Sequence, residues 1–256
     1  MIASFFQSLE QHGVDYLLIS GQATVLYGAA TFSEDIDLWL KPTDCNRSRL
    51  VRALAAQEAT YYKLTPLLTL ANLVRGHGFH FLLPGDPPVF LDIMGNPPRA
   101  PTFAEAKAAS QDIKTPWGNL TTIGIEHLVE LKKTQRLSDY PVIGKLVLRR
   151  LEMIDKPSPD DYRWAIDNVF TLPELTALLW QHAELRTVCR SIPGLAVMAD
   201  EEEADVDAES AVERWLTERM LACQQADRLY WRSIIAELKD LRRTGELVPD
   251  GSTVAG

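Results

Sequence analysis

Hydrophobic and polar positions follow two different patterns along the chain, and the first pattern is that of a small β-sheet with helices. Four short apolar runs, each bounded by glycine, proline or polar residues, are typical of β-strands. They are Val14–Ile19, Ile36–Leu40, Phe79–Leu83 and Val89–Met94. Apolar residues at helical spacing predict helices over Ile2–Gln11, Gln22–Tyr27 and Thr43 to about Gln57. An α/β domain is therefore predicted for the first half.

The second pattern begins after Pro97-Pro98 and is mainly helical. A short helix over Phe103–Ala109 and a hairpin over Ile113–Ile123 come first. Further helices are predicted at Ile125–Leu137, Pro141–Ile154, Asp160–Val169, Pro173–Ala183 and, after the acidic run Asp200–Glu209, in a long final helix through about Arg243. We therefore expect an α/β domain over 1–123, with a small mixed sheet flanked by helices, an all-helical domain over 124–243 and a disordered polar tail over 244–256.

Composition excludes some classes of protein. The formal net charge of −9 argues against binding of nucleic acid through overall charge. The three cysteines form no CxxC pair, and His77 and His80 have no partnering Cys or His nearby in sequence, so neither a disulfide framework nor a zinc site is predicted. The sequence shows no basic leader and no apolar run of membrane-spanning length, so we expect a cytoplasmic protein without a membrane partner.

Two aspartates interrupt the second apolar run, and a third interrupts the fourth. Asp35 and Asp37 flank Ile36, so on a strand both side chains lie on one face. If the strand that carries Asp92 pairs beside them, three carboxylates meet there and repel one another unless a divalent cation compensates. Oxygen ligands suit Mg²⁺ or Mn²⁺, and three such carboxylates can hold two ions for phosphoryl transfer. The alternative is a strand end whose carboxylates simply face solvent.

A turn at Ser20-Gly21 and a short helix precede these aspartates. The order of Ser20-Gly21, Asp35-Ile36-Asp37 and Asp92 resembles the nucleotidyltransferase superfamily related to DNA polymerase beta. Within it, the stretches YGAATFSEDIDLWL and EHLVELKKTQRLSD look most like the AbiEii-type bacterial proteins, the toxins of type IV toxin–antitoxin systems and their relatives. The chain departs from them at Ser20, where relatives usually have Gly, and at Thr31, where they commonly have Arg.

The resemblance implies a role for each matching residue. Asp35, Asp37 and Asp92 would be the catalytic residues and the ligands of Mg²⁺ or Mn²⁺, with Asp92 favouring deprotonation of the acceptor hydroxyl. Backbone and side-chain groups of the turn, together with two cations of a later helix, would bind the NTP phosphates. These nucleotide-binding residues are Ser20, Gly21, Ser33, Lys132 and Arg136.

The implied reaction moves a nucleoside monophosphate from an NTP to an acceptor hydroxyl and releases pyrophosphate. The favoured acceptor is the 3′ end of an RNA, including tRNA, and the alternative acceptor is a protein side chain. An antitoxin is a candidate partner. A basic cluster supports RNA, although it can equally be an ordinary charged helix face. It comprises Lys132, Lys133, Arg136, Lys145, Arg149 and Arg150. Two other functions stay open: an inactive binding protein of the same fold, and an aminoglycoside-type enzyme acting on a small molecule.

Overall fold

The computed structural model describes residues 2–199 and 206–255. The strands are β1 (Tyr16–Ile19), β2 (Asp35–Leu40), β3 (Thr60–Tyr61), β4 (Thr65–Pro66), β5 (Gly78–Leu83), β6 (Val89–Met94), β7 (Gln111–Thr115), β8 (Gly118–Thr122) and β9 (Leu247–Val248). The helices are α1 (Ile2–Gln11), α2 (Ser20–Leu26), α3 (Asp44–Ala56), α4 (Leu70–Arg75), α5 (Phe103–Ala108), α6 (Ile125–Lys132), α7 (Asp139–Glu152), α8 (Pro159–Asp167), α9 (Leu172–Gln181), α10 (Leu185–Arg190) and α11 (Val206–Thr244). A 3₁₀ turn covers Ala196–Ala199.

A mixed seven-stranded sheet organises the first half of the chain, in the order β3-β5-β6-β2-β1-β8-β7. Strand β2 lies at its centre, antiparallel to β1 and parallel to β6. The third and fourth apolar runs form the antiparallel pair β5 and β6, joined as a hairpin. The predicted α/β class, with a mixed sheet and helices followed by a helical region, is therefore confirmed.

One face of this sheet forms the hydrophobic core. Ile36 and Leu38 of β2 and Leu91 and Ile93 of β6 alternate with polar residues and are at most 1% exposed. Because side chains alternate with period two, these four residues share one face. Helices α1 and α3 cover it, with members such as Phe5 and Leu50 in the same buried cluster. The opposite face of the two strands carries the three aspartates together with apolar residues such as Phe90.

The chain divides into two compact units. The first contains the sheet, in Met1–Leu26, Ala30–Leu131 and Leu229–Gly256. The second contains Tyr27–Ala29 and the helices of Lys132–Arg228. Within the residues that the structure describes, no helix combines the length and apolar character needed to cross a membrane.

The C-terminal tail differs from the prediction, because residues 244–255 are ordered against the sheet unit. Strand β9 pairs with β4, and Val254 is only 6% exposed. Backbone N–H groups of Gly251 and Val254 donate to the carbonyls of Tyr61 and Ala59 at 2.9 Å each. The polar composition of the tail therefore did not indicate that it contains a short β-strand and one buried apolar residue, Val254.

The helix predicted over Ile125–Leu137 is also shorter, since α6 ends at Lys132. The chain turns there because Asp139 accepts hydrogen bonds from both Lys132 Nζ and Thr134 Oγ1, which draws the next segment back. The first residues of the acidic run, 200–205, lie outside the described residues, and its remainder, 206–209, begins α11.

Candidate active site

The three predicted aspartates lie on neighbouring strands of the sheet unit. In the parallel pairing of β2 with β6, Asp37 is the register partner of Asp92, and Asp35 is the partner of Phe90. Register partners on adjacent parallel strands lie side by side on the same face. Asp35, Asp37 and Asp92 therefore share the face opposite the core, which we call the acidic face, and each is only partly buried.

His80 is the residue that sequence reasoning missed on this face. It is the register partner of Asp92 in the antiparallel hairpin, and its Nδ1 donates to Asp92 Oδ1 at 2.7 Å. The side chains of His80 and Asp92 are 27% and 28% exposed. A signal for this pairing was available, because residues equidistant from Asp86 in the hairpin turn must face each other. His77 instead contacts Glu237, with Nε2 and Oε2 2.8 Å apart.

The acidic face fits a hard divalent cation in donor type and charge. Its three carboxylates offer oxygen ligands, which Mg²⁺ and Mn²⁺ prefer. The side chains, however, are not gathered into a ligand shell: across residues 2–199 and 206–255, no group of three or more His, Cys, Asp or Glu side chains is placed to hold a metal ion. The contact with His80 engages one oxygen of Asp92, and metal-ligating carboxylates are themselves often hydrogen-bonded in this way.

The predicted turn at Ser20-Gly21 is the first turn of α2, and its glycine packs closely against a serine of the segment that leads into β2. A side chain at Gly21 would collide with Ser33, whose Cβ lies 2.9 Å from the ideal Cβ position. Gln22 Nε2 donates to the Ser33 carbonyl at 3.0 Å, and Ser33 Oγ donates to the Asp35 carbonyl at 3.2 Å. Gly21 and Ser33 thus fix the start of β2, and their predicted contact with phosphates stays a prediction.

Ser20 adopts a backbone conformation that favours glycine. Its φ is +56°, in the left-handed region, where a Cβ costs about 1–2 kcal/mol. A glycine at this position would adopt the same backbone conformation without that cost. The departure at Ser20 therefore keeps the turn and adds strain to it.

The two cations predicted to bind triphosphate belong to the second unit. Lys132 Nζ lies 3.1 Å from Asp139 Oδ1, with side chains 16% and 10% exposed, so its charge is balanced by a nearly buried carboxylate. Arg136 is exposed and lies in the turn between α6 and α7. The structure therefore gathers Lys132 with Asp139 and Thr134 in a structural network of that unit.

Other members of the predicted basic cluster are also paired with acids. Arg150 lies 2.8 Å from Asp161 and stacks over Trp164, and Arg149 lies 3.1 Å from Glu152. These pairs reduce the positive charge that the cluster presents to a polyanion. The assignment of the cluster as an RNA groove stays a prediction.

No protein-family model matches the sequence, and no curated protein matches it at a significant level. Among solved structures, the chain is similar to an antigenic nucleotidyltransferase-like protein from Paracoccidioides brasiliensis, with 14% sequence identity and a TM-score of 0.42. The match covers 73% of this chain and 88% of that chain. A likeness at this level does not establish a shared function, and the AbiEii-type resemblance stays a prediction. The functional proposal therefore rests on the acidic face itself.

Proposed function

We propose that the acidic face is the active site of a divalent-metal-dependent nucleotidyltransferase. The observation that carries the proposal is the register of β2 with β6, which sets Asp37 beside Asp92 and keeps Asp35 on the same face. Three carboxylates on one face of a folded sheet repel one another, and a cation is the usual compensation. The motif order that resembles nucleotidyltransferases supports the same conclusion.

In the proposed reaction, the oxygen of an acceptor hydroxyl attacks the α-phosphorus of an NTP. A bond forms between that oxygen and phosphorus, the bond to the β-phosphate bridge breaks, and pyrophosphate leaves. Asp92 favours transfer of the hydroxyl proton to solvent water, and Asp35 and Asp37 would hold Mg²⁺ or Mn²⁺ with it. When bound, the ion would offset the charge that builds up on the phosphate oxygens. RNA is the favoured acceptor, a protein side chain is the other, and an antitoxin is a proposed partner.

One observation favours a second candidate, a binding protein of this fold without turnover. Asp92 is already engaged by His80, and the side chains of the described residues form no three-ligand metal group. An inactive protein would be unchanged on adding metal, whereas an enzyme would bind the ion through the carboxylates of the acidic face. The two candidates therefore differ in what metal and NTP do to the protein.

The test is incorporation of label from each α-phosphate-labelled NTP into total RNA and, separately, into total protein, with Mg²⁺ or Mn²⁺ present. The decisive variant is Asp35→Asn with Asp37→Asn, which removes two charges while preserving side-chain shape. The matched control is Asp112→Asn, an exposed acid on β7 at the far edge of the same sheet.

We expect the native protein and the Asp112→Asn control to incorporate label into RNA or into total protein. The double variant should incorporate none. The acceptor fraction that gains label identifies RNA or protein. Equal labelling by the native protein and the double variant would refute the site. Absence of label with metal and NTP still bound would favour the binding protein, or a small-molecule acceptor of the aminoglycoside class.

A further inference from the structure

The aromatic residue beside Asp35 contacts a second ring and a lysine, and none of the roles assigned above uses these three residues. Phe90 is the register partner of Asp35, so its side chain is on the acidic face. The Phe90 ring contacts the Tyr62 ring, with centroids 5.4 Å apart and planes at 47°. Lys63 Nζ lies 4.8 Å from the Tyr62 ring centroid and 6.0 Å from that of Phe90. We call Tyr62, Lys63 and Phe90 the aromatic platform.

The segment that carries Tyr62 and Lys63 is fixed to the sheet by hydrogen bonds. The Tyr62 N–H donates to the His80 carbonyl at 2.9 Å. Thr65, which is fully buried, donates through Oγ1 to the Tyr62 carbonyl at 2.7 Å and through N–H to the Lys63 carbonyl at 2.9 Å. The platform is therefore a built feature next to His80 and Asp92.

Lys63 is held in an unfavourable backbone conformation with its amine over the two rings. Its φ is +57°, in the left-handed region that costs a lysine about 1–2 kcal/mol. The side chain is exposed, and within the described ranges its amine pairs with no carboxylate but lies over the aromatic faces. Strain of this kind persists where the surrounding structure fixes a residue, and it often marks a binding site.

The chemistry of the platform matches a nucleotide. An aromatic face stacks with any nucleobase, and a neighbouring ammonium group attracts phosphate oxygens. Among the carboxylates of the acidic face, that of Asp35 is next to the platform, because Asp35 is the register partner of Phe90. A base on the rings would thus bring its phosphates toward both Lys63 and the acidic face.

We infer that the aromatic platform is a nucleotide-binding subsite, in which the base replaces the Lys63 amine over the rings of Tyr62 and Phe90 and the displaced amine binds a phosphate. This inference rests on the proposed function, because it assigns a substrate subsite of the same active site. The bound nucleotide is either the incoming NTP or the 3′-terminal nucleotide of an RNA acceptor. Both present the same base and phosphate chemistry.

The test is isothermal titration calorimetry of the full chain with three probes in Mg²⁺: ATP, tripolyphosphate and a short oligouridylate. Tyr62→Leu removes the stacking face while keeping an apolar side chain. Lys63→Asn removes the charge with a residue that tolerates the left-handed backbone. The controls are Lys63→Arg, which keeps the charge, and Lys114→Asn, which removes an exposed lysine from β7 at the far edge of the sheet.

If the base of the NTP lies on the platform, Tyr62→Leu weakens ATP binding about tenfold and leaves tripolyphosphate unchanged. Lys63→Asn weakens both by roughly tenfold, Lys63→Arg restores most of the loss, and Lys114→Asn has no effect. If the acceptor nucleotide lies there, the same losses fall on oligouridylate and spare ATP. Either pattern supports the subsite and names its occupant.

The subsite is overturned if Tyr62→Leu binds ATP and oligouridylate as the native protein does, or if it weakens tripolyphosphate as much as ATP. In that case, binding of ATP with Mg²⁺ by the native protein would still support the proposed function, and only the nucleotide-binding role of the platform would be rejected. If the native protein binds none of the three probes, both fall together. Because the Lys63 side chain is exposed, Lys63→Asn gives a result even if Tyr62→Leu fails to fold.

Discussion

The two faces of the central strands β2 and β6 carry opposite chemistry on the same backbone. On one face, Ile36 and Leu91 are at most 1% exposed and pack into the core. On the other, Asp37 and Asp92 lie side by side and stay partly exposed. Because a one-residue slip in register would exchange the faces, the apolar face fixes the position of the acidic one. Stability and the candidate chemistry are thus set by alternate residues of one strand pair.

Substitutions at adjacent residues of β6 should show the largest difference between the two faces. Leu91→Asp puts a charge into the core and should lower the free energy of unfolding by at least about 4 kcal/mol. Asp92→Leu, one residue away, should change it by no more than about 1 kcal/mol, because Asp92 is a partly exposed partner of His80. Denaturant unfolding of both variants measures the difference. Similar losses in the two would show that the faces are not distinct.

A clash at the turn before β2 should have the next largest effect. Gly21→Ala directs a methyl group into Ser33 and should cost about 2 kcal/mol. Ser33→Gly in the same chain removes the opposing side chain, so a double-mutant cycle should recover part of that loss. The readout is thermal unfolding of the two single variants and the double variant. Strict additivity would contradict direct packing of Gly21 on Ser33.

Relief of strain at Ser20 should give a smaller effect of opposite sign. Ser20→Gly removes the Cβ from a residue at φ +56° and should raise the free energy of unfolding by about 1 kcal/mol. The matched control is Ser4→Gly in α1, which should lower the free energy of unfolding because glycine within a helix is destabilising. Denaturant midpoints measure both, and destabilisation by Ser20→Gly would contradict the strained turn.

A buried tyrosine of the sheet unit should make the stability of the protein depend on pH in the alkaline range, but not near neutral pH. Burial raises the pKa of Tyr16 to about 12 from 10.0, and the carboxylates of Glu10 and Asp112 add to the rise. The folded state therefore favours the neutral phenol, and this stability is complete below about pH 10 and is lost as the pH rises toward 12. Tyr16→Phe should lose stability less steeply over that window in alkaline titration. An unchanged alkaline transition would contradict the buried phenol.

The strands and the acidic face could be predicted from the sequence because both follow from the alternation of residues along a strand. The contacts that the side chains make with distant parts of the chain could not. Alternation identified Asp35, Asp37 and Asp92, and the hairpin places Asp92 on the strand that pairs with β2. Long-range partners were not predictable from local pattern. The contact of Lys132 with Asp139 depends on where the chain turns after α6. The buried position of Val254 depends on pairing with a segment far away in the sequence.

The aromatic platform was also not predictable from the sequence. Tyr62 and Lys63 lie in a short connection without hydrophobic periodicity, so the local pattern offered no reason to place them beside β6. Their position follows from hydrogen bonds to His80 and Thr65, which form only once the sheet is assembled. Connections of this kind carry side chains to a site whose strands are evident from sequence.

The proposed function requires the acidic face to bind a divalent metal, and Mn²⁺ titration followed by electron paramagnetic resonance measures this binding. The native protein and Asp37→Asn are compared, with Asp112→Asn as the control for loss of one acidic charge. We predict that the native protein and Asp112→Asn remove the free Mn²⁺ signal, and that Asp37→Asn does so much more weakly. Equal binding by all three, or no binding by the native protein, would contradict the account.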